Sequence, residues 1–239
     1  MKRAVLDAVL KARAEAQPLA LATELKTGLQ RALSPNGNST GDLAISDAIE
    51  SAAADALRDN RPVTVDGPNG AIFVQPFNPA LRMFIVGAVH IAQALAPMAA
   101  LAGYAVTVID PRGSFATPER FPGIELSTDW PDEAIGRAPP DARTAVITLT
   151  HDPKLDDPAL IAALHSPAFY IGALGSRKTH ALRQDRLRAE GFDDRTLARI
   201  HGPIGLALGG RSPAEIAVAT LAQATQVLNQ SDPHARSAA

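Results

Sequence analysis

Met83-Phe84-Ile85-Val86-Gly87-Ala88-Val89-His90-Ile91-Ala92 runs from four apolar residues through a glycine into an apolar stretch with helical spacing. A short continuous apolar run ending at a glycine reads as a buried strand turning into a helix. The pattern then repeats. Strands are predicted over 83–86, 105–109, 144–149 and 168–171, with a weaker one over 124–126, and helical stretches lie between them. Strands that are apolar throughout need cover on both faces, which helices alternating with strands provide. The predicted class is therefore α/β: a Rossmann-like parallel sheet with helices on both faces. Ligands of such sheets sit beyond the carboxyl ends of the strands.

The first 79 residues follow a different rhythm. Helices are predicted over 4–16, stopped by Pro18, and over 43–58, with a strand over 19–26. Ser34-Pro35-Asn36-Gly37-Asn38-Ser39 reads as a loop, and the segments 63–65 and 71–75 flank the turn Asp66-Gly67-Pro68-Asn69-Gly70 as a hairpin. Pro76-Phe77-Asn78-Pro79 marks a boundary. The expected organisation is a small α+β domain over 1–79, a Rossmann-like domain over 80–232 and a tail over 233–239, with Ser237-Ala238-Ala239 disordered. Ser212-Pro213-Ala214-Glu215 and Asp157-Pro158 read as helix starts, the first with the residues of a capping box.

Composition narrows the function classes. With 46% apolar and 20% charged residues the chain can bury a core. A net charge of −2 with no clustered basic surface argues against nucleic acid. There are no cysteines, so disulfides and thiolate metal sites are excluded. Asp7 interrupts what would be a signal peptide, and Gln93, Pro97 and Gly103 break the most apolar segment into helix, turn and strand, not a membrane span. A cytoplasmic location is expected.

Four strand-end segments carry candidate chemistry. Gly87-Ala88-Val89-His90-Ile91-Ala92 matches the dinucleotide fingerprint at its first glycine and last small residue, but Val89 replaces the middle glycine and would crowd a pyrophosphate. Asp110 ends the second strand, 23 residues after Gly87, where an acid can bond a ribose hydroxyl. His90 reads either as a ligand contact or as a helix-terminal histidine bonded to backbone. Gly172-Ala173-Leu174-Gly175-Ser176-Arg177-Lys178 reads as an anion site at a helix start, with Gly172, Gly175, Ser176 and Arg177 the contacts. Its bland alternative is a turn into a solvated basic helix, since Arg183, Arg186 and Arg188 follow. In Thr150-His151-Asp152, His151 can move a proton and Asp152 can orient it or bond a polar cofactor; equally, Asp152 can cap a turn before Pro153. Pro203-Ile204-Gly205-Leu206-Ala207-Leu208-Gly209-Gly210-Arg211 is a further glycine-rich turn facing anions. No nucleophile motif is present, and His165, His180, His201 and His234 lack metal spacing.

Together these segments, with Val106-Thr107-Val108-Ile109-Asp110-Pro111-Arg112, Asp129-Trp130-Pro131 and Tyr170-Ile171 preceding the second glycine-rich turn, resemble the XdhC/CoxI family of xanthine dehydrogenase accessory proteins. The resemblance covers the C-terminal two-thirds in the family's order. It implies a Rossmann-like domain that binds molybdenum cofactor and a non-enzymatic chaperone that helps deliver it to a molybdenum hydroxylase such as xanthine dehydrogenase. A homodimer is compatible with it. Three departures stand out. Val89 replaces the usual middle glycine, Ala207 stands where aspartate is common, and the family's Ser-Gly-Gly-Cys-Val-Glu segment is represented only by Ser46-Asp47-Ala48-Ile49-Glu50. Two other readings are carried alongside. One is an NAD(P)-binding oxidoreductase, which Asp110 favours and Val89 opposes. The other is a degenerate client-binding scaffold without cofactor.

Overall fold

The computed structural model describes residues 1–230, and the tail expected over 233–239, with His234, lies outside them. The chain divides into two compact units, Met1–Ala80 and the remainder from Leu81.

In the first unit, β1 (Leu19–Glu24), β2 (Gln30–Leu33), β3 (Ser39–Gly41), β4 (Val63–Gly67) and β5 (Gly70–Phe77) form an antiparallel sheet in the order β3-β2-β1-β5-β4. Central strand β1 is apolar at successive positions because both faces are covered. Leu19 and Leu21 meet Val5, Val9 and Ala12 of α1 (Arg3–Ala14), while Ala20 and Ala22 meet Ile49, Ala52, Ala53 and Ala56 of α2 (Asp47–Asp59). Strands β2 and β3 have no counterpart among the sequence expectations. The apolar side chains of β2 are confined to Ala32-Leu33, and β3 is small and polar, so neither shows the alternation that marks a strand. The expected loop of 34–39 is the turn between them, with Gly37 at φ +85°. The Asp66-to-Gly70 hairpin forms, with Gly67 opposite Gly70.

In the second unit every strand pair is parallel. The strands are β6 (Leu81–Val86), β7 (Tyr104–Ile109), β8 (Glu125–Ser127), β9 (Thr144–Thr148), β10 (Tyr170–Ala173) and β11 (Ile200–His201), in the order β11-β10-β9-β6-β7-β8. This is the doubly wound Rossmann order, and its switch point lies between β6 and β9. The helices are α3 (His90–Leu101), α4 (Pro131–Arg137), α5 (Pro153–Leu164), α6 (Arg177–Ala189), α7 (Asp194–Leu197) and α8 (Pro213–Gln230). Side chains alternate across the sheet, so each strand feeds two cores. Met83, Ile85, Val106, Val108 and Ile147 pack with Leu95, Ala96 and Ala99 of α3 and Ala217 of α8. Phe84, Val86, Ile109, Val146 and Ile171 pack on the opposite face with Leu155, Leu160 and Ala163 of α5 and Leu187 of α6.

Local signals largely explain the helix ends. Ser212 and Glu215 close the capping box: the Glu215 N–H donates to Ser212 Oγ at 3.3 Å, and Glu215 Oε2 accepts from the Ser212 N–H at 2.9 Å. The Asp157-Pro158 start is corrected. Helix α5 begins earlier in the chain, at Pro153, because Asp152 caps it by accepting from the Lys154 N–H at 3.0 Å; Pro158 sits inside the helix.

Candidate functional site

Four parallel strands, β6, β7, β9 and β10, bring their carboxyl ends to one edge of the sheet. Gly87, Ala88 and His90 follow β6; Asp110 follows β7; His151 and Asp152 follow β9; Gly175, Ser176 and Arg177 follow β10. The glycine turns after β6 and β10 therefore share an edge, as parallel strands dictate.

Gly87 holds φ +106°. A Cβ there would lie 2.6 Å from Thr150 Cγ2, so the switch-point turns of β6 and β9 touch at this residue. The next peptide is held from β7: the buried Ala88 N–H donates to Asp110 Oδ2 at 2.8 Å. Val89 then precedes α3 in extended conformation (φ −91°, ψ 176°) and offers no side-chain cap, and the first turn carries no acid. The first turn of α3 thus has neither a side-chain cap nor an acid against the positive end of the helix dipole. His90 is the exposed first residue of this helix.

Asp110 departs from the ribose-binding expectation. It is fully buried, and both oxygens are engaged within the chain. Oδ1 accepts from the Arg112 N–H at 3.0 Å and from Arg112 Nε at 2.9 Å; Oδ2 accepts from Arg112 Nη2 and Ala88 N, each at 2.8 Å. Burial opposes its charge, but Arg112 and the two amides outweigh burial and hold the carboxyl below the usual range. Asp110 shapes the β6 turn from beneath. Arg112 lies over the exposed Phe115 ring, 4.5 Å from its centroid.

After β9, Thr150 and Asp152 build a tight turn in which the Asp152 N–H donates to Thr150 Oγ1 at 3.0 Å and exposed His151 takes φ +62°. Asp152 has the capping role of its bland alternative.

After β10 the structure separates the expected contacts. Gly172 lies inside the strand, paired with Ile147 and His201, and a Cβ would meet Ile204 Cδ1 at 2.6 Å. Its role is to admit Ile204, which removes it from the ligand edge. Gly175 is at the turn, with φ +145°, and Ser176 caps α6 by accepting from the Thr179 N–H at 3.1 Å. Arg177 and Lys178 open the helix, exposed, with no acid in its first turn; among the described residues neither side chain has an ionic partner. Two basic residues at the positive end of a helix are electrostatically unfavourable unless an anion joins them.

The reading of α6 as a solvated basic helix fails at one residue. Arg183 is 1% exposed. Arg186 and Arg188 are surface pairs, with Asp157 and with Asp185 and Asp194. Gly205 also changes role. Its N–H donates to Gln223 Oε1 at 2.8 Å, and a Cβ would meet α8 backbone at Thr220 N at 3.2 Å, so this turn is packed against α8. Gln223 Oε1 also accepts from the Tyr170 hydroxyl at 2.7 Å. Gln223 escaped sequence reading, and Arg183 and Thr150 were named there without the roles they take, because the contacts that give each its role lie with other elements of the fold.

A family model described as the XdhC Rossmann domain matches residues 83–224, more than half of the chain. The chain belongs to the XdhC family. Its relatives include the molybdenum cofactor insertion chaperone PaoD of Escherichia coli (strain K12), 34% identical over 151 residues, which are 63% of this chain and 41% of that protein. A probable xanthine dehydrogenase subunit of Bacillus subtilis (strain 168) is 30% identical over 156 residues, 65% of this chain and 45% of that protein. The uncharacterized protein YqeB of Escherichia coli (strain K12) is 32% identical over 161 residues, 66% of this chain and 29% of that protein. The chain thus spans less than half the length of these curated relatives. Among solved structures, that of a xanthine dehydrogenase from Bacillus halodurans shares the fold, with a TM-score of 0.72 and 22% identity over 96% of this chain and 65% of that one. No described helix of this XdhC-family chain is long and apolar enough to cross a membrane.

Proposed function

We propose that this XdhC-family chain receives molybdenum cofactor as cargo at the carboxyl edge of β6, β9 and β10 and helps pass it to a molybdenum hydroxylase such as xanthine dehydrogenase, in the cytoplasm. The observation that carries the reading is the pair of acid-free helix starts on that edge: α3, with no side-chain cap, and α6, with unpaired Arg177 and Lys178. Both favour an anion, and the phosphate of the pterin supplies one. PaoD, named for molybdenum cofactor insertion, supports the choice of cargo. The chain has no cysteine, and among the described residues no group of three His, Asp or Glu could hold a metal ion; the helix starts support a contact to the phosphate of the cargo. In this reading Gly87 makes the turn that sets the start of α3, Gly175 and Ser176 shape the second turn, and Arg177 holds phosphate oxygens with its planar fork; Ala88, buried with its N–H given to Asp110, is not a contact. His90, His151 and Asp152 stand at the rim, exposed, as further polar contacts. The segments 1–79 and 80–232 are proposed as separate functional domains.

Arg177→Ala tests the reading. The side chain is exposed and supports no other described residue, so thermal stability should be nearly unchanged. Pterin retained on protein purified from its native host, measured by mass spectrometry of released small molecules, should fall about tenfold or more, since a charged hydrogen bond contributes about 1.5–3 kcal/mol. Equal retention removes Arg177 from the site. NAD and NADP should bind weakly or not at all by calorimetry. The Ala88 amide and both Asp110 oxygens are engaged within the chain, so neither is free for a pyrophosphate or a ribose, and Val89 stands where the dinucleotide fingerprint has its middle glycine. Tight binding of either nucleotide contradicts this, and Val89→Gly should strengthen what binding exists.

A further inference from the structure

Beneath the candidate edge lies a buried ion pair that neither the fold nor the proposed contacts use. Arg183 stands in the second turn of α6, and Asp156 in the first turn of α5; each is 1% exposed. Helical side chains lean toward the N-terminus of their helix, and Arg183 follows this to reach the turn before α6, where Nη2 donates to the Leu174 carbonyl at 2.8 Å. The same nitrogen lies 3.6 Å from Asp156 Oδ2. Asp156 Oδ1 accepts from the Thr150 hydroxyl at 2.6 Å and the Thr150 N–H at 3.3 Å, and the Thr150 methyl fills the space that Gly87 leaves open. One continuous path thus joins Leu174, Arg183, Asp156, Thr150 and Gly87, that is, the turns after β10, β9 and β6.

The pair is an unfavourable way to fill this space. Arg183 Nε and Nη1 and Asp156 Oδ2 make no hydrogen bond. Burial drives the Asp156 carboxyl up and the Arg183 guanidinium down, each against its partner's field. Apolar side chains of similar volume commonly replace such pairs without loss of stability. What apolar side chains cannot do is fix a carbonyl on one turn and a hydroxyl and amide on another at set positions.

We infer that Arg183 and Asp156 are positioning residues that lock the β10 turn carrying Gly175 to Arg177 against the β9 turn carrying Thr150 to Asp152. The inference rests on the reading of that edge as the cargo site. The locked turns set the distance between the α6 helix start and the switch point, and so the span of the anion and ring that fit there.

The test is cross-talk between the turns, read by amide hydrogen exchange on the full chain without ligand. Asp156→Asn keeps an acceptor for Thr150 but removes the charge facing Arg183. It touches no atom of the β10 turn, yet exchange at Leu174 and Thr179, whose amides donate to the Thr148 carbonyl at 2.9 Å and to Ser176 Oγ at 3.1 Å, should quicken about tenfold or more, while sheet amides such as Phe84 and Val146 hold their rates. The double variant Arg183→Met/Asp156→Leu should fold with an unchanged melting temperature and show the same loosening in both turns. If Asp156→Asn does not fold, the double variant decides alone. Unchanged exchange at Leu174 and Thr179, or full protection in the double variant, overturns the inference. Titration with a pterin monophosphate separates it from the reading beneath it. If the wild-type protein does not bind that probe, the cargo reading fails and exchange still judges the pair. If the wild type binds and the folded variants bind equally well, the positioning role fails.

Discussion

Asp110→Ala should cost the Rossmann unit about 2–4 kcal/mol and disorder the turn after β6. The carboxylate accepts four hydrogen bonds, from the Ala88 amide and from the amide, Nε and Nη2 of Arg112. Removing it strands the buried Ala88 N–H with no alternative acceptor. Arg112 is partly exposed, so water replaces much of its share, and most of the loss comes from the amide and the emptied space. Urea unfolding followed by fluorescence of the single tryptophan, Trp130 in this unit, measures it. A loss below about 1 kcal/mol would mean that the turn holds itself. The pH dependence has a definite sign. The folded carboxyl is held below its ordinary value, so its contribution is complete above that value, near pH 4, and is lost as pH falls through the lowered folded value. Asp110→Asn should remove this component, so that the stability of the variant falls less steeply than that of the wild type on acidification.

Gly87→Ala should be comparably damaging, by about 2–5 kcal/mol, for two separable reasons. The backbone sits at φ +106°, where side chains other than hydrogen are strained by about 1–3 kcal/mol. The new methyl would also lie 2.6 Å from Thr150 Cγ2, and overpacking of this kind adds about 1–3 kcal/mol. Thr150→Ser removes the opposing methyl. The double variant Gly87→Ala/Thr150→Ser should therefore recover the steric part of the loss and leave the backbone part, a non-additivity of about 1 kcal/mol or more between touching residues. Strict additivity of the two substitutions would show that the turns do not meet as described.

How much of this was legible in the sequence differs from residue to residue. Gly87 and Gly175 declared themselves, because a glycine directly after a buried strand has a local explanation in the turn it makes. Ser176 and the Ser212–Glu215 capping box were equally local. Gly172 and Gly205 looked the same in sequence but serve packing: one makes room for Ile204, the other for the backbone of α8. Asp110 stood at the position where a ribose-binding acid is expected, and its capture by Arg112, two residues on, was invisible because spacing alone does not say which side of the turn a guanidinium faces. Asp157-Pro158 imitated a helix start that Asp152-Pro153 in fact provides.

The sequence by itself determined the class of the fold, the alternation of strand and helix, and the edge at which chemistry can occur. These follow from hydrophobic period and turn residues, which are properties of neighbours in the chain. Only the tertiary structure decided which polar residues remain available to a ligand. Arg183 reads as one basic residue among several on α6, but it is buried against Asp156 and the Leu174 carbonyl, while Arg177 stays unpaired on the first turn of the same helix. The difference is one of burial and partner, set by the pairing of a residue in α5 with one in α6 and by the packing of both helices on one face of the sheet. Such long-range pairings leave no periodic trace in a single sequence, because the free energy of a buried charge depends on what surrounds it in space and not on what precedes it in the chain.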